Sequence, residues 1–246
     1  MVPPSPGSTA VFLLIVVGIA VAFVVAVGHA GRTLGQSPMA RRRAMVGAAV
    51  GAAALMGVTA GASWSGVLEA TIDARPPAVV FFMGGSMLVM VATGLSPVGA
   101  RLARGTPIVA LVAFQGFRLP LELVLHRWAD EGVLPIQMTY SGHNFDIVTG
   151  IAAVVVAAWL WRKGPSPQLV AAFNLLGLVL LVTVASIAIR STPGPFRTYD
   201  ADPPVLLAFH FPYGWIVPIC VGGALLGHIV VFRWLWAQRR GVGVAA

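Results

Sequence analysis

Apolar residues run through this chain in blocks of about twenty. At about 1.5 Å per residue, a helix of that length crosses the roughly 30 Å hydrocarbon core of a bilayer. Seven such blocks are predicted, over approximately 10–28, 45–63, 78–96, 107–126, 145–162, 168–189 and 214–235. The joints between them carry charge or helix breakers: Arg41-Arg42-Arg43, Arg75-Pro76-Pro77, the stretch from Arg101 to Arg104, Lys163-Gly164-Pro165 and Pro193-Gly194-Pro195. The pattern predicts an all-α integral membrane protein, a seven-transmembrane-helix bundle that makes one transmembrane domain of residues 1–246. The last apolar stretch, 203–236, is too long for one straight span and is interrupted by Pro212 and Pro218. Residues 203–213 are therefore expected to be interfacial or re-entrant. The first block is read as a true span, because residues 1–10 hold no positive charge and its apolar run exceeds that of an ordinary signal peptide.

Composition sharpens this picture. The chain is 58% hydrophobic and only 10% charged, against about 25% charged in soluble domains, which excludes a soluble globular fold. Cys220 is the single cysteine and lies in an apolar run, so no disulfide can form within the chain. The net charge of +8 does not point to nucleic acid, since the basic residues gather at the ends of apolar blocks. With the N-terminus outside, eleven basic residues fall on the inner side: Arg32, Arg41, Arg42, Arg43, Arg101, Arg104, Arg162, Lys163, Arg233, Arg239 and Arg240. Four fall outside (Arg75, Arg127, Arg190, Arg197), and Arg118 in the fourth block completes the sixteen. All eight carboxylates lie outside or in the outer half of a block. The positive-inside bias thus predicts an outer N-terminus, a cytoplasmic C-terminus, residence in the cell (inner) membrane, and anionic lipid at the cytoplasmic face. Trp64, Trp128 and Trp215 are expected in the outer aromatic belt, and Trp159, Trp161, Trp234 and Trp236 in the inner one.

The second block carries Gly47, Gly51, Gly57 and Gly61, two small-xxx-small pairs that allow close helix approach. They serve either packing within the chain or a helix-mediated homo- or hetero-oligomer.

Candidate chemistry concentrates in 115–150. Arg118, Glu122 and His126 stand four residues apart and share a helix face, and His143 and Asp146 share another. A charged side chain at the centre of a span costs roughly 2.5–3.5 kcal/mol, so such residues must pair or face a wet cavity. Pro120 removes a backbone hydrogen bond between Arg118 and Glu122 and should kink the helix. A polar site near the outer face is expected from Arg118, Glu122, His126, His143, Asn144, Asp146, His210 and Tyr213. Arg118 would bind an anion or neutralise the carboxylates; Glu122 and Asp146 would accept protons or cations. His126 or His143 would titrate near neutral pH.

Other chemistries compete with this one. Glu122, His126, His143 and Asp146 have the spacing of helical metal ligands, although no HExxH motif is present. His29 and His228, both toward the inner side, are the candidate pair for haem. His228 also reads as a helix-interface hydrogen-bond donor, and Asn174 as helix glue. Retinal is excluded, because Lys163, the only lysine, sits at a helix end. No phosphate-binding loop or GxSxG nucleophile motif occurs.

The run Phe117-Arg118-Leu119-Pro120-Leu121-Glu122, then Gly142, Asn144-Phe145-Asp146-Ile147 and Gly150, resembles a family of bacterial polytopic inner-membrane proteins. The likeness continues at Gly227-His228 and Phe232-Arg233 and covers about half of the chain. It implies a bacterial inner-membrane protein and marks these residues without supplying a chemistry. Three functions follow as expectations: binding or translocation of a small polar solute, an ion or protons; a haem- or metal-dependent redox protein or enzyme; or a structural subunit of a membrane complex.

Overall fold

The computed structural model describes residues 2–241 as a helical bundle, with no strand among them. Ten helices follow in order: α1 Pro6–Thr33, α2 Pro38–Trp64, α3 Val67–Ala70, α4 Ala78–Leu95, α5 Pro97–Gly105, α6 Ile108–Phe114, α7 Arg118–Asp130, α8 Ile147–Lys163, α9 Pro167–Ser191 and α10 Gly222–Arg239. Four of them begin on Ser-Pro: Ser5-Pro6, Ser37-Pro38, Ser96-Pro97 and Ser166-Pro167. Proline has no N–H to lose in the first turn, and the side chains of Ser5, Ser37 and Ser96 each accept a hydrogen bond from a backbone N–H of that turn.

Six helical stretches are long and apolar enough to cross a membrane: Pro6–Thr33, Pro38–Trp64, Ala78–Leu95, Ile108–Asp130, Pro167–Ser191 and Tyr213–Arg239. The fourth joins α6 and α7 through a 3₁₀ turn at Gln115–Phe117, and the last begins with 3₁₀ and π turns ahead of α10. The remaining predicted span, 145–162, corresponds to α8, which is only 17 residues long. Its shortness has a cause. Gly150 packs so tightly on α7 that a Cβ there would lie 2.4 Å from the Leu119 nitrogen. Measured from that level at about 1.5 Å per residue, α7 continues about 16 Å to Asp130, while α8 extends only about 6 Å to Asp146. The roughly 10 Å difference is filled by chain whose only helical turn is a 3₁₀ turn at Ile136–Met138 and which dips into the bundle, where Thr139 and Asn144 are fully buried.

One end of the bundle collects the N-terminus and the loops around 65–77, 131–146 and 192–212. There the Ser5 N–H donates to Glu131 Oε2 at 2.9 Å, and Trp128 Nε1 donates to Ser8 Oγ. The opposite end collects 34–37, 96–107 and 164–166. At that end Arg233 Nη1 donates to the carbonyls of Gly94 and Ser96, closing the α4–α5 joint. The stretch Arg101–Arg104, expected as a joint, is part of α5.

Two tryptophans assigned to the belts are instead core residues. Trp128 packs against Phe12 and Tyr213, and Trp234 sits in the cluster with Ile108 and Leu160; both are fully buried. The glycines of α2 also differ from an intrachain packing face: a Cβ on Gly47, Gly51, Gly57 or Gly61 would meet nothing within 4 Å. Within 203–213, Leu207 and Phe209 are buried, so this segment is packed into the bundle rather than peeled away from it.

Candidate functional site

The dipping segment ahead of α8 is built from its own polar side chains. Thr139 Oγ1 donates to the Ile136 carbonyl and accepts from the Ser141 N–H, while the Thr139 carbonyl accepts from Gly142 and Asn144 N–H groups. Asn144 Oδ1 accepts from the Asp146 N–H at 3.0 Å, a turn that starts α8. These bonds satisfy backbone groups that no helix satisfies, as buried irregular chain requires.

Seven side chains then link in one network, all of them less than 5% exposed. Asn144 Nδ2 donates to Glu122 Oε2 at 2.7 Å and to the Met138 carbonyl at 3.0 Å. Asp146 accepts from Arg118 Nε at 2.7 Å on one oxygen and from Thr149 Oγ1 at 3.1 Å on the other. Arg118 Nη1 reaches the Gly177 carbonyl at 3.1 Å and His228 Nε2 at 3.2 Å. His228 Nδ1 meets Asn174 Oδ1 at 2.8 Å, and Asn174 Nδ2 donates back to the His228 carbonyl at 3.2 Å.

Hydrogen-bond logic fixes the imidazole. A guanidinium can only donate, so His228 Nε2 is the acceptor; Nδ1 then carries the proton and donates to Asn174. Both ring nitrogens are thereby engaged, which leaves neither free to ligate a haem iron. His29, the other half of that candidate pair, is exposed near the end of α1. Gly177 is what allows α9 to come this close: a Cβ there would lie 2.6 Å from His228 Cε1 and 2.9 Å from Thr149 Cγ2.

Four of the eight expected site residues come together: Arg118, Glu122, Asn144 and Asp146. The other four do not join them. His126 stacks on Tyr140, with ring centroids 4.4 Å apart. His143 is exposed on the dipping segment. His210 stands 3.7 Å from Glu69, and Tyr213 is bonded to Thr9 Oγ1 at 2.9 Å. Glu122, His126, His143 and Asp146 are thus not assembled as one ligand set, and no group of three or more His, Cys, Asp or Glu suited to a metal ion occurs among the described residues. His228 and Asn174, expected at a helix interface, do join α9 to α10 and are also members of the network, and Thr149 joins through Asp146. Gln115 is fully buried beside it and donates to the Ala224 carbonyl at 3.1 Å. The available signal was a polar residue next to glycine within bulky apolar helices: Asn174 with Gly177, and His228 with Gly227.

Two donors and acceptors in this region stay open. Arg118 Nη2 and Gln115 Oε1 are buried and make no hydrogen bond. Buried polar atoms of this kind are uncommon and mark places where a small ligand or water fits.

No curated protein and no solved structure matches the chain. A domain of unknown function, DUF8737, matches residues 76–236, which reach from the start of α4 almost to the end of α10 and contain the whole network from Gln115 to His228. Since those residues are 161 of 246, the chain belongs to the DUF8737 family.

Proposed function

We propose that this is a seven-span protein of a bacterial inner membrane, N-terminus outside, that binds or translocates an ion or protons through Glu122. The observation that carries this reading is a charge imbalance. Two carboxylates, Glu122 and Asp146, lie inside the bundle with one cation, and the ion pair belongs to Asp146. His228 is held as a neutral acceptor and contributes no charge. Glu122 meets only the Asn144 amide, so its compensation comes from a bound proton or a monovalent cation. An ionisable group in that position is expensive and is retained for function. Asn144 bonds both Glu122 and the backbone of Asp146, so a change of charge at Glu122 is felt at the Arg118–Asp146 pair. With α8 as the fifth span despite its 17 residues, the acidic end lies outside and the arginine-rich end in the cytoplasm.

The test is Glu122→Gln, which keeps the shape and the hydrogen bond to Asn144 but cannot exchange a proton. In proteoliposomes carrying a pH-sensitive dye, proton flux driven by a pH gradient is expected to fall to the level of empty vesicles. The infrared carbonyl band of a protonated carboxylic acid should vanish in Glu122→Gln and persist in Asp146→Asn. Unchanged flux together with an unchanged band would overturn the reading.

A second reading, a structural subunit of a membrane complex, is favoured by α2, whose glycine pairs meet no side chain of this chain. Under it, Glu122→Gln would be silent and the protein would copurify with another membrane protein.

A further inference from the structure

A cavity of about 810 Å³ lies apart from the polar network, bounded by α1, α2, α4, α5, α6 and α10. That is within the roughly 300–1,000 Å³ of small-molecule sites. Among the residues lining it, only His29, Thr93, Arg101 and Thr106 have polar side chains, and all four sit toward the arginine-rich end. The remaining walls are Ala, Gly, Val, Leu, Ile, Phe, Met and Pro. Along α1 the lining runs from His29 to Ile19; ten residues at about 1.5 Å make about 15 Å. Half of a hydrocarbon core of roughly 30 Å is the same length. The cavity is one leaflet deep, polar at the surface and apolar toward the middle.

Two polar groups at its mouth lack partners. Thr106 is 4% exposed, and its Oγ1 is buried without a hydrogen bond. The Thr93 hydroxyl, by contrast, is satisfied by the Val89 carbonyl. Arg101 is half-buried and makes no ion pair among the described residues. Among the described residues no side-chain carboxylate is at hand, because all eight lie toward the opposite end of the bundle or within the polar network.

We infer that this cavity holds one anionic phospholipid drawn from the leaflet at the arginine-rich end. Its acyl chain lies along the apolar walls of α1, α2 and α10, and its phosphate sits at the mouth. Arg101 supplies the countercharge, the Thr106 hydroxyl donates to a phosphate oxygen, and His29 closes the rim. Free phosphate gains nothing from the apolar walls, and a zwitterionic lipid leaves Arg101 only partly compensated. The site rests on the membrane reading of the chain but not on Glu122, and Glu122→Gln is expected to leave it intact.

The test uses the full chain reconstituted in vesicles of equal phosphatidylglycerol and phosphatidylcholine, then transferred to mild detergent for native mass spectrometry. Wild-type protein is expected to retain one phosphatidylglycerol in preference to phosphatidylcholine. Arg101→Gln should lower that preference about fivefold, the value of one basic residue at an anionic membrane surface. Gly51→Phe, at a lining position where a Cβ meets nothing within 4 Å, should fill the cavity and remove the retained lipid of either kind. Elution profile and helical circular dichroism report whether each variant folds. Should Gly51→Phe not fold, Arg101→Gln decides alone. Equal retention of both lipids by the wild type, or a preference unmoved by Arg101→Gln, would overturn the inference.

Discussion

Removing the guanidinium of Arg118 leaves Asp146 as a second uncompensated carboxylate inside the bundle, and removing Asp146 strands the guanidinium. Breaking one partner of a buried pair costs about 3–5 kcal/mol, whereas replacing both with apolar side chains is often close to neutral. Arg118→Leu and Asp146→Leu are each expected to destabilise by about that amount, and the double variant by clearly less than either sum. Denaturant titration in detergent checks this, and simple additivity of the two would show that the pair is not coupled. At this scale the sequence was partly legible. Arg118, Glu122 and Asp146 stand out because charge in an apolar run is expensive. His228 and Asn174 read as helix-interface residues, but their partners were not legible, since these lie 110 and 54 residues away and spacing reveals only neighbours three or four apart. His126 and His143 carry the helical spacing of Glu122 and Asp146, whereas His210 and Tyr213 share their depth alone. Depth does not say which way a side chain faces around its helix, and these four face elsewhere.

Between elements, the joint most open to titration is that of α1 with the loop after α7. Glu131 accepts from the Ser5 N–H, from Ser8 Oγ at 3.4 Å and from Arg127 Nε at 2.8 Å. Desolvation, the largest single influence, pushes its carboxyl upward, but the Ser5 and Arg127 hydrogen bonds together outweigh it and hold it below the ordinary glutamate value. A depressed carboxyl contributes stability above its unfolded value, near pH 4, and loses it as the pH falls through the folded one. Glu131→Gln should therefore lower the melting temperature at pH 7, with the gap to wild type closing below about pH 4. A gap that persists at pH 3 would show that Glu131 acts through shape rather than charge. The positions of the long helices were readable from hydropathy. The inward dip before α8 was not, because it depends on Thr139 and Asn144 replacing helical hydrogen bonds, and hydropathy is blind to that substitution.

Across the whole molecule, charge and shape agree. The acidic loops share one end with the N-terminus, and the arginine clusters share the other; under the proposed topology the first end is the outer one. Cys220 is buried, so a thiol introduced at the surface is the only accessible one. In intact cells a membrane-impermeant maleimide should label Ser65→Cys and spare Lys163→Cys until the membrane is broken. The reverse pattern would invert the topology. Residues 76–236, which define the family, enclose the entire polar network, while α1 and α2 contribute walls of the lipid-facing cavity.

The order in which the network is synthesised follows from the same distances along the chain. Asp146 comes 28 residues after Arg118, and His228 comes 110 after it. At about 5–20 residues per second, these intervals are about 1–6 s and about 5–20 s. A lone arginine near mid-span is unfavourable by roughly 2.5–3.5 kcal/mol, so the helix bearing it is poorly suited to enter lipid by itself. The α7–α8 hairpin is the smallest unit that carries both Arg118 and its partner Asp146, and it is expected to leave the insertion machinery as a pair. His228, arriving last, completes the assembly of a bundle whose charged centre has already been settled.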